Sequence, residues 1–124
     1  MITKKNKNKM YPISTKINGA NIYLYYIPNK TIYASAMITG SRYKEDKQTC
    51  GISHLLEHVI VNSYKKCNYS RCAFYLQKNG LNYNALTSSN FIKYYISGLK
   101  EDTLKILDYL LDIINFPVIK EENL

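Results

Sequence analysis

Residues 51–61 read GISHLLEHVIV, and the way this stretch folds decides the architecture around it. Leu55, Leu56, Val59 and Ile60 recur at the three- and four-residue spacing of a helix that buries one side, which predicts a helix from Gly51 to about Asn62. A helix this apolar needs another layer to lie against. It nevertheless carries both of the chain's histidines, His54 and His58, with Glu57 between them. Positions i, i+3 and i+4 share one helical face, so the two imidazoles and the carboxylate project together.

The flanking segments supply the layer. Residues 21–29, NIYLYYIPN, and 31–40, TIYASAMITG, are rich in β-formers and are separated by Pro28, Asn29 and Lys30. They are expected to form two strands of an antiparallel pair. Residues 41–51 are polar and loop-like. After the helix comes a connection with a helix start near Ser70, and RCAFYLQKNG, residues 71–80, reads as a short helix stopped by Gly80. LNYNALTSS (81–89) and NFIKYYISG (90–98) predict a second strand pair turning near Ser88 to Asn90. EDTLKILDYLLDIINFP (101–117) is the strongest helical pattern. Leu104, Leu107, Leu110, Leu111 and Ile114 fall on one stripe, Asp102 or Thr103 can cap the start, and Pro117 closes it. The order β-β-α-α-β-β-α predicts an α+β fold, an antiparallel sheet covered by helices on one face.

Composition narrows the class of protein. The 124 residues are 46% hydrophobic and 21% charged, ordinary for one soluble domain, here residues 11–124 behind a basic, flexible tail over 1–10. The net charge of +8 would suit an acidic partner. Part of it is the tail's Lys4, Lys5, Lys7 and Lys9, and no nucleic-acid signature accompanies the rest, so no specific nucleic-acid partner is expected. Thirteen tyrosines against no tryptophan reflect the codon bias of an AT-rich genome and carry no argument for base stacking. Cys50, Cys67 and Cys72 form an odd, irregular set that reads as reduced thiols, without the second ligand pair of a structural zinc site. No apolar run reaches the roughly 20 residues of a membrane span. The expectation is a cytoplasmic protein, or one of another reducing intracellular compartment. Import into an organelle is the lesser alternative, because the basic start lacks the Arg and Ser of a transit peptide.

Two imidazoles one helical turn apart can both reach a zinc ion through a ring nitrogen at about 2.0–2.1 Å. Glu57, on the same face, is placed to act as general base on a water beside that ion, whose pKa the metal lowers toward ~7. The plain alternative is a pair of solvent-facing histidines beside a helical glutamate. That both available histidines fall in the pattern favours the metal. His54-Leu55-Leu56-Glu57-His58 inverts the commoner His-Glu-x-x-His zinc helix and has the form of the inverzincin motif.

CGISHLLEH (50–58), followed by NGLNYNALTSSNFIKYYISG (79–98) with Gly80, Asn84, Ala85, Thr87, Tyr94 and Tyr95, resembles the pitrilysin–insulysin family of zinc metallopeptidases. That family includes the mitochondrial processing peptidases, and the resemblance runs over about residues 17 to 122. It implies an incomplete pitrilysin-type metallopeptidase domain with His54 and His58 as zinc ligands and Glu57 as the catalytic base. Asn84 and Ala85 are implied to contact a peptide substrate that adds to an edge strand through backbone hydrogen bonds. For Asn84 the alternative is a strand-end turn residue. The resemblance also implies a third ligand, a glutamate about 75 to 78 residues beyond His58, around positions 133 to 136, whereas the chain ends at Leu124. Glu121 and Glu122 lie too near the preceding helix and would open the ligand helix instead. A single glycine at Gly80 stands where the family often has a pair. The expected function is a zinc-dependent metalloendopeptidase, truncated or partner-dependent, with a further chain or domain completing its site. The alternative is an inactive interaction or regulatory module that keeps the peptidase fold. A small basic nucleic-acid binder rests on charge alone.

Overall fold

Asn18 and Gly19 both take positive φ, 48° and 86°. They join strand β1 (Ile13–Ile17) to β2 (Ala20–Leu24), with Ile17 opposite Ala20. This is a two-residue hairpin turn whose twist matches that of its strands, and it asks for the Asn-Gly pair found here. In the computed structural model, residues 12–62, 74 and 76–119 are described. The tail over 1–10, the helix start near Ser70, Cys67, Cys72, Glu121 and Glu122 lie outside them.

The hairpin corrects one expectation. The segment after Asn21 pairs backward with β1, and it does not pair with residues 31–39. Strand β3 (Thr31–Thr39) instead runs antiparallel to β5 (Phe91–Leu99), from Thr31 opposite Leu99 to Thr39 opposite Phe91. Strand β4 (Asn82–Thr87) flanks β5 on its other side. The main sheet is therefore β3-β5-β4, with β1-β2 as a separate ribbon and one strand more than the sequence pattern suggests. The physical reason is turn chemistry: Asn18-Gly19 closes a two-residue hairpin turn, whereas the bend at Pro28, where the Asn29 N–H donates to the Ile27 carbonyl at 2.9 Å, leads β3 into a different sheet.

Along β5, Ile92, Tyr94 and Ile96 are buried, and in register with them lie Ala34 and Ala36 of β3 and Ala85 of β4. Helix α1 (Ile52–Asn62) packs over β4 and β5, and helix α2 (Thr103–Asn115) over β3 and β5. The opposite face carries Tyr33, Met37 and Leu86, all exposed. There the Tyr33 and Tyr95 rings stand 5.6 Å apart and the Lys93 ammonium lies 5.4 Å from the Tyr95 ring centre. The fold is the expected α+β layer, an antiparallel sheet with helices on one face.

Between the helices, Phe74 and Leu76–Lys78 are helical and end at Gly80 (φ 67°). The Gly80 N–H donates to the Gln77 carbonyl at 3.0 Å and the Leu81 N–H to the Leu76 carbonyl at 2.9 Å, the paired bonds of a glycine helix stop. Helix α2 departs from expectation in the face it buries. Ile106, Tyr109, Leu110 and Ile113 are inside, whereas Leu104 is 78% exposed and Leu107 and Leu111 also face outward. The helix is apolar on two sides, and the sheet selects one of them. A Cβ built on Gly98 would stand 2.6 Å from Leu81 Cδ2 and 3.0 Å from Ile106 Cδ1, so Ile106 seats in the dimple that this glycine leaves in β5. Neither expected capping side chain caps α2. Asp102 pairs with Lys105 at 2.8 Å, and the Thr103 hydroxyl donates to the Lys100 carbonyl.

Candidate active site

The start of α1 is built by two carboxylates upstream of it. Glu45 accepts the Gly51 N–H and the Ser53 N–H, each at 2.8 Å, so both of its oxygens hold donors that the first helical turn cannot satisfy itself. Asp46 Oδ1 accepts the Gln48 and Thr49 N–H groups and the Thr49 hydroxyl, each at 2.9 Å. Gly51, at φ 90°, turns the chain into the helix. The Ser53 hydroxyl, followed by the two backbone donors, holds the Glu45 carboxyl below its ordinary range, and the Thr49 hydroxyl does the same for Asp46. Sequence reading missed this scaffold, although an acidic pair just ahead of a helical pattern was its visible signal.

On α1 the His54 and His58 rings are exposed and converge. Their Nε2 atoms stand 3.0 Å apart, with ring centroids 4.8 Å apart and planes tilted by 31°. Two nitrogens each about 2.0–2.1 Å from one ion lie at a comparable separation. Glu57 is half-buried, between the histidine side and the inward residues Ser53, Val59 and Val61. Among the described residues no group of three His, Cys, Asp or Glu side chains could hold a metal ion. His54 and His58 are thus two ring nitrogens that α1 by itself brings to a spacing that suits one ion. Cys50, just before the helix, is a free and exposed thiol.

Asn84 and Ala85 take opposite faces of β4. Ala85 is buried toward the helices, and Asn84 is exposed on the helix-free side. The Asn84 side-chain carbonyl accepts the Ala85 N–H at 2.8 Å. The two are thus adjacent in sequence, with only Ala85 turned to the layer that holds α1. Tyr94, opposite Ala85 on β5, is buried, and its hydroxyl has no hydrogen-bond partner among the described residues. Burial, with the Glu57 charge adding to it, pushes this phenol up to about 12.

A helix bearing His54, Glu57 and His58 over a helix-covered antiparallel sheet defines a metallopeptidase-like fold. The chain belongs to the insulinase family of peptidases, peptidase family M16, whose family model matches residues 27–124. An uncharacterised zinc protease of Rickettsia felis is 32% identical over 116 residues, 92% of this chain and 28% of that protein. The mitochondrial-processing peptidase subunit beta of Saccharomyces cerevisiae is 31% identical over 104 residues, 82% of this chain and 22% of that one. A solved protease from Helicobacter pylori shares the fold, with a TM-score of 0.85 over 93% of this chain and 28% of the other, at 20% identity. The chain thus spans 28% or less of the length of each of these relatives. No helix among the described residues is long and apolar enough to cross a membrane.

Proposed function

We propose that the chain is part of a zinc-dependent metalloendopeptidase, with residues 11–124 forming the start of one catalytic domain. The observation that carries this is the convergence of the His54 and His58 Nε2 atoms at 3.0 Å, one residue from Glu57. His54 and His58 are the zinc ligands, and a glutamate from a further segment or partner chain is the third. Zinc, when held there, supplies Lewis acidity that brings the pKa of a coordinated water toward ~7. Glu57 takes the proton of the attacking water and passes it to the leaving amine. The peptide substrate is read along the β4 edge by backbone hydrogen bonds, with Asn84 and Ala85 beside it. The Asn84 carbonyl has to release the Ala85 N–H where that donor is used for substrate.

A second reading is favoured by the two-ligand donor set. A site holding only His54 and His58 binds zinc far more weakly than a complete one, and such a chain would serve as a non-catalytic module pairing with a peptidase partner. The two are separated by metal content and cleavage. Zinc measured after chelator-free purification should be substoichiometric for the 124 residues alone and rise when a glutamate-bearing downstream segment is supplied. His54→Ala should abolish it; unchanged zinc in that variant sinks the site. Glu57→Gln should keep the metal and lower cleavage by the assembled protein at least about a hundredfold, the usual scale of a lost general base. Full zinc occupancy of the assembled protein with no cleavage by the unmutated chain would select the non-catalytic module.

A further inference from the structure

Strand β3 lies at the rim of the main sheet and carries none of the usual protection of an edge. It pairs with β5 on one side, and no described strand lies on the other. Its nine residues run Thr31-Ile32-Tyr33-Ala34-Ser35-Ala36-Met37-Ile38-Thr39, without a charge, a proline or a glycine. The register with β5 steps evenly from Thr31 opposite Leu99 to Thr39 opposite Phe91, so no bulge bends the strand away. A long, regular, uncharged edge is a template for another strand.

Two features say which strand fits. The first is the direction of the free backbone groups. At the two ends of the β3–β5 ladder the Lys100 N–H donates to the Lys30 carbonyl at 2.9 Å and the Gly40 N–H to the Asn90 carbonyl at 2.8 Å. Bonded and non-bonded pairs alternate along an antiparallel ladder, so the even-numbered residues of β3 bond to β5. The N–H and C=O groups of Thr31, Tyr33, Ser35, Met37 and Thr39 therefore point outward from the edge. The second feature is the sequence, which reads nearly the same from either end about Ser35. Thr31 mirrors Thr39, Ile32 mirrors Ile38 and Ala34 mirrors Ala36. The unlike pair, Tyr33 and Met37, consists of two large side chains, both exposed.

We propose that β3 pairs with β3 of a second copy of this chain, antiparallel about a two-fold axis through Ser35, so that two three-stranded sheets join edge to edge. An axis there sets every outward-pointing residue opposite another: Ser35 meets Ser35, Tyr33 meets Met37 and Thr31 meets Thr39 of the other copy. The ladder then closes without a gap. On the helix side, half-buried Ile32 meets Ile38, which a single copy leaves 45% exposed. On the other side the Met37 sulfur comes against the Tyr33 ring, which already stands beside Tyr95. Lys30 falls opposite Gly40, so like charges do not meet at the ends of the paired strands. A patch that complements itself in this way is what a two-fold dimer requires. One strand edge is a small interface, so the pairing is reversible. Helix α1 packs over β4 and β5, away from this edge, so the dimer leaves His54 and His58 open and does not depend on the peptidase reading.

The test is sedimentation velocity of the full chain over a dilution series, with circular dichroism melts alongside. The unmutated chain should show a monomer–dimer equilibrium. Ser35→Pro deletes an N–H that points outward, a place where an edge strand tolerates proline. It removes both bonds of the central pair and should weaken the dimer at least about tenfold. Should that variant not fold, Ser35→Lys decides. It sets two ammonium groups opposite each other, and should keep the monomer's thermal midpoint while weakening the dimer at least about threefold. Register is read by mild oxidation in a background with Cys50, Cys67 and Cys72 replaced by serine. Ser35→Cys should link into a disulfide dimer, whereas Tyr33→Cys, whose two copies lie roughly 14 Å apart across the axis, should not. A chain that stays monomeric throughout, a dimer indifferent to the Ser35 variants, or a link that forms as readily from Tyr33→Cys overturns the proposal. So does a monomer whose Tyr33, Ser35 and Met37 amides are protected from hydrogen exchange, which would give the edge to another segment of the same chain.

Discussion

Glu45 acts on a helix that begins several residues after it, and its protonation state is tied to that helix. Because the Ser53 hydroxyl and the Gly51 and Ser53 N–H groups donate to the ionised form, its folded-state pKa is lowered from the ordinary 4.5. A depressed carboxyl contributes stability at every pH above its unfolded value and loses that contribution as pH falls through the folded one. On acid titration from about pH 6 to about pH 3, the thermal midpoint should fall less steeply in Glu45→Gln than in the unmutated chain, from a lower starting value at pH 6. Circular dichroism melts read both; parallel pH curves would remove Glu45 from the anchoring of α1. Asp46, lowered by Thr49, adds in the same direction. At this scale the sequence is informative where spacing is local. The approach of His54 to His58, and the place of Glu57 beside them, follow from helical periodicity alone. The Glu45 anchor and the burial of Tyr94 do not, because each depends on residues that only the folded chain brings close.

Elements show the same divide between local and distant signals. Helix α1, the glycine stop at Gly80 and the turn over residues 88–90 carry their instructions within a few residues. Strand partnership does not: the β-rich run after Asn21 looks as able to pair forward as backward, and the Asn18-Gly19 turn is the local clue that decides it. The inward face of α2 was illegible for another reason, since Leu104, Leu107 and Leu111 line one side and Ile106, Leu110 and Ile113 another, and the relief of the sheet makes the choice. Gly98 is where that relief can be tested. Gly98→Ala drives a methyl into Leu81 and Ile106 and should destabilise the fold by about 1–3 kcal/mol, the usual cost of overpacking. Denaturant unfolding should show a lower midpoint with unchanged slope. Adding Ile106→Val should recover part of the loss, whereas a double variant no better than Gly98→Ala would mean that α2 does not seat there.

For the molecule as a whole, the two outward surfaces are more apolar than a solvated domain needs. Leu104, Leu111 and Phe116 are exposed around the outer side and end of α2, and Tyr33, Met37 and Leu86 are exposed on the helix-free side of the sheet. Contiguous exposed apolar area is where proteins meet other surfaces. Leu104→Lys with Leu111→Lys should change stability by no more than about 0.5 kcal/mol per site. The pair should reduce self-association in sedimentation velocity; undiminished association would exonerate this side of α2. The long pairing of β3 with β5 has a consequence in time. Thr39 faces Phe91 and Thr31 faces Leu99, so the connection that the sheet must close includes all of α1. Long-range pairing of this kind is slow compared with forming a helix or a tight hairpin. On the ribosome, the β1-β2 ribbon and the histidine-bearing turn emerge before the central strand that will support that turn has been translated.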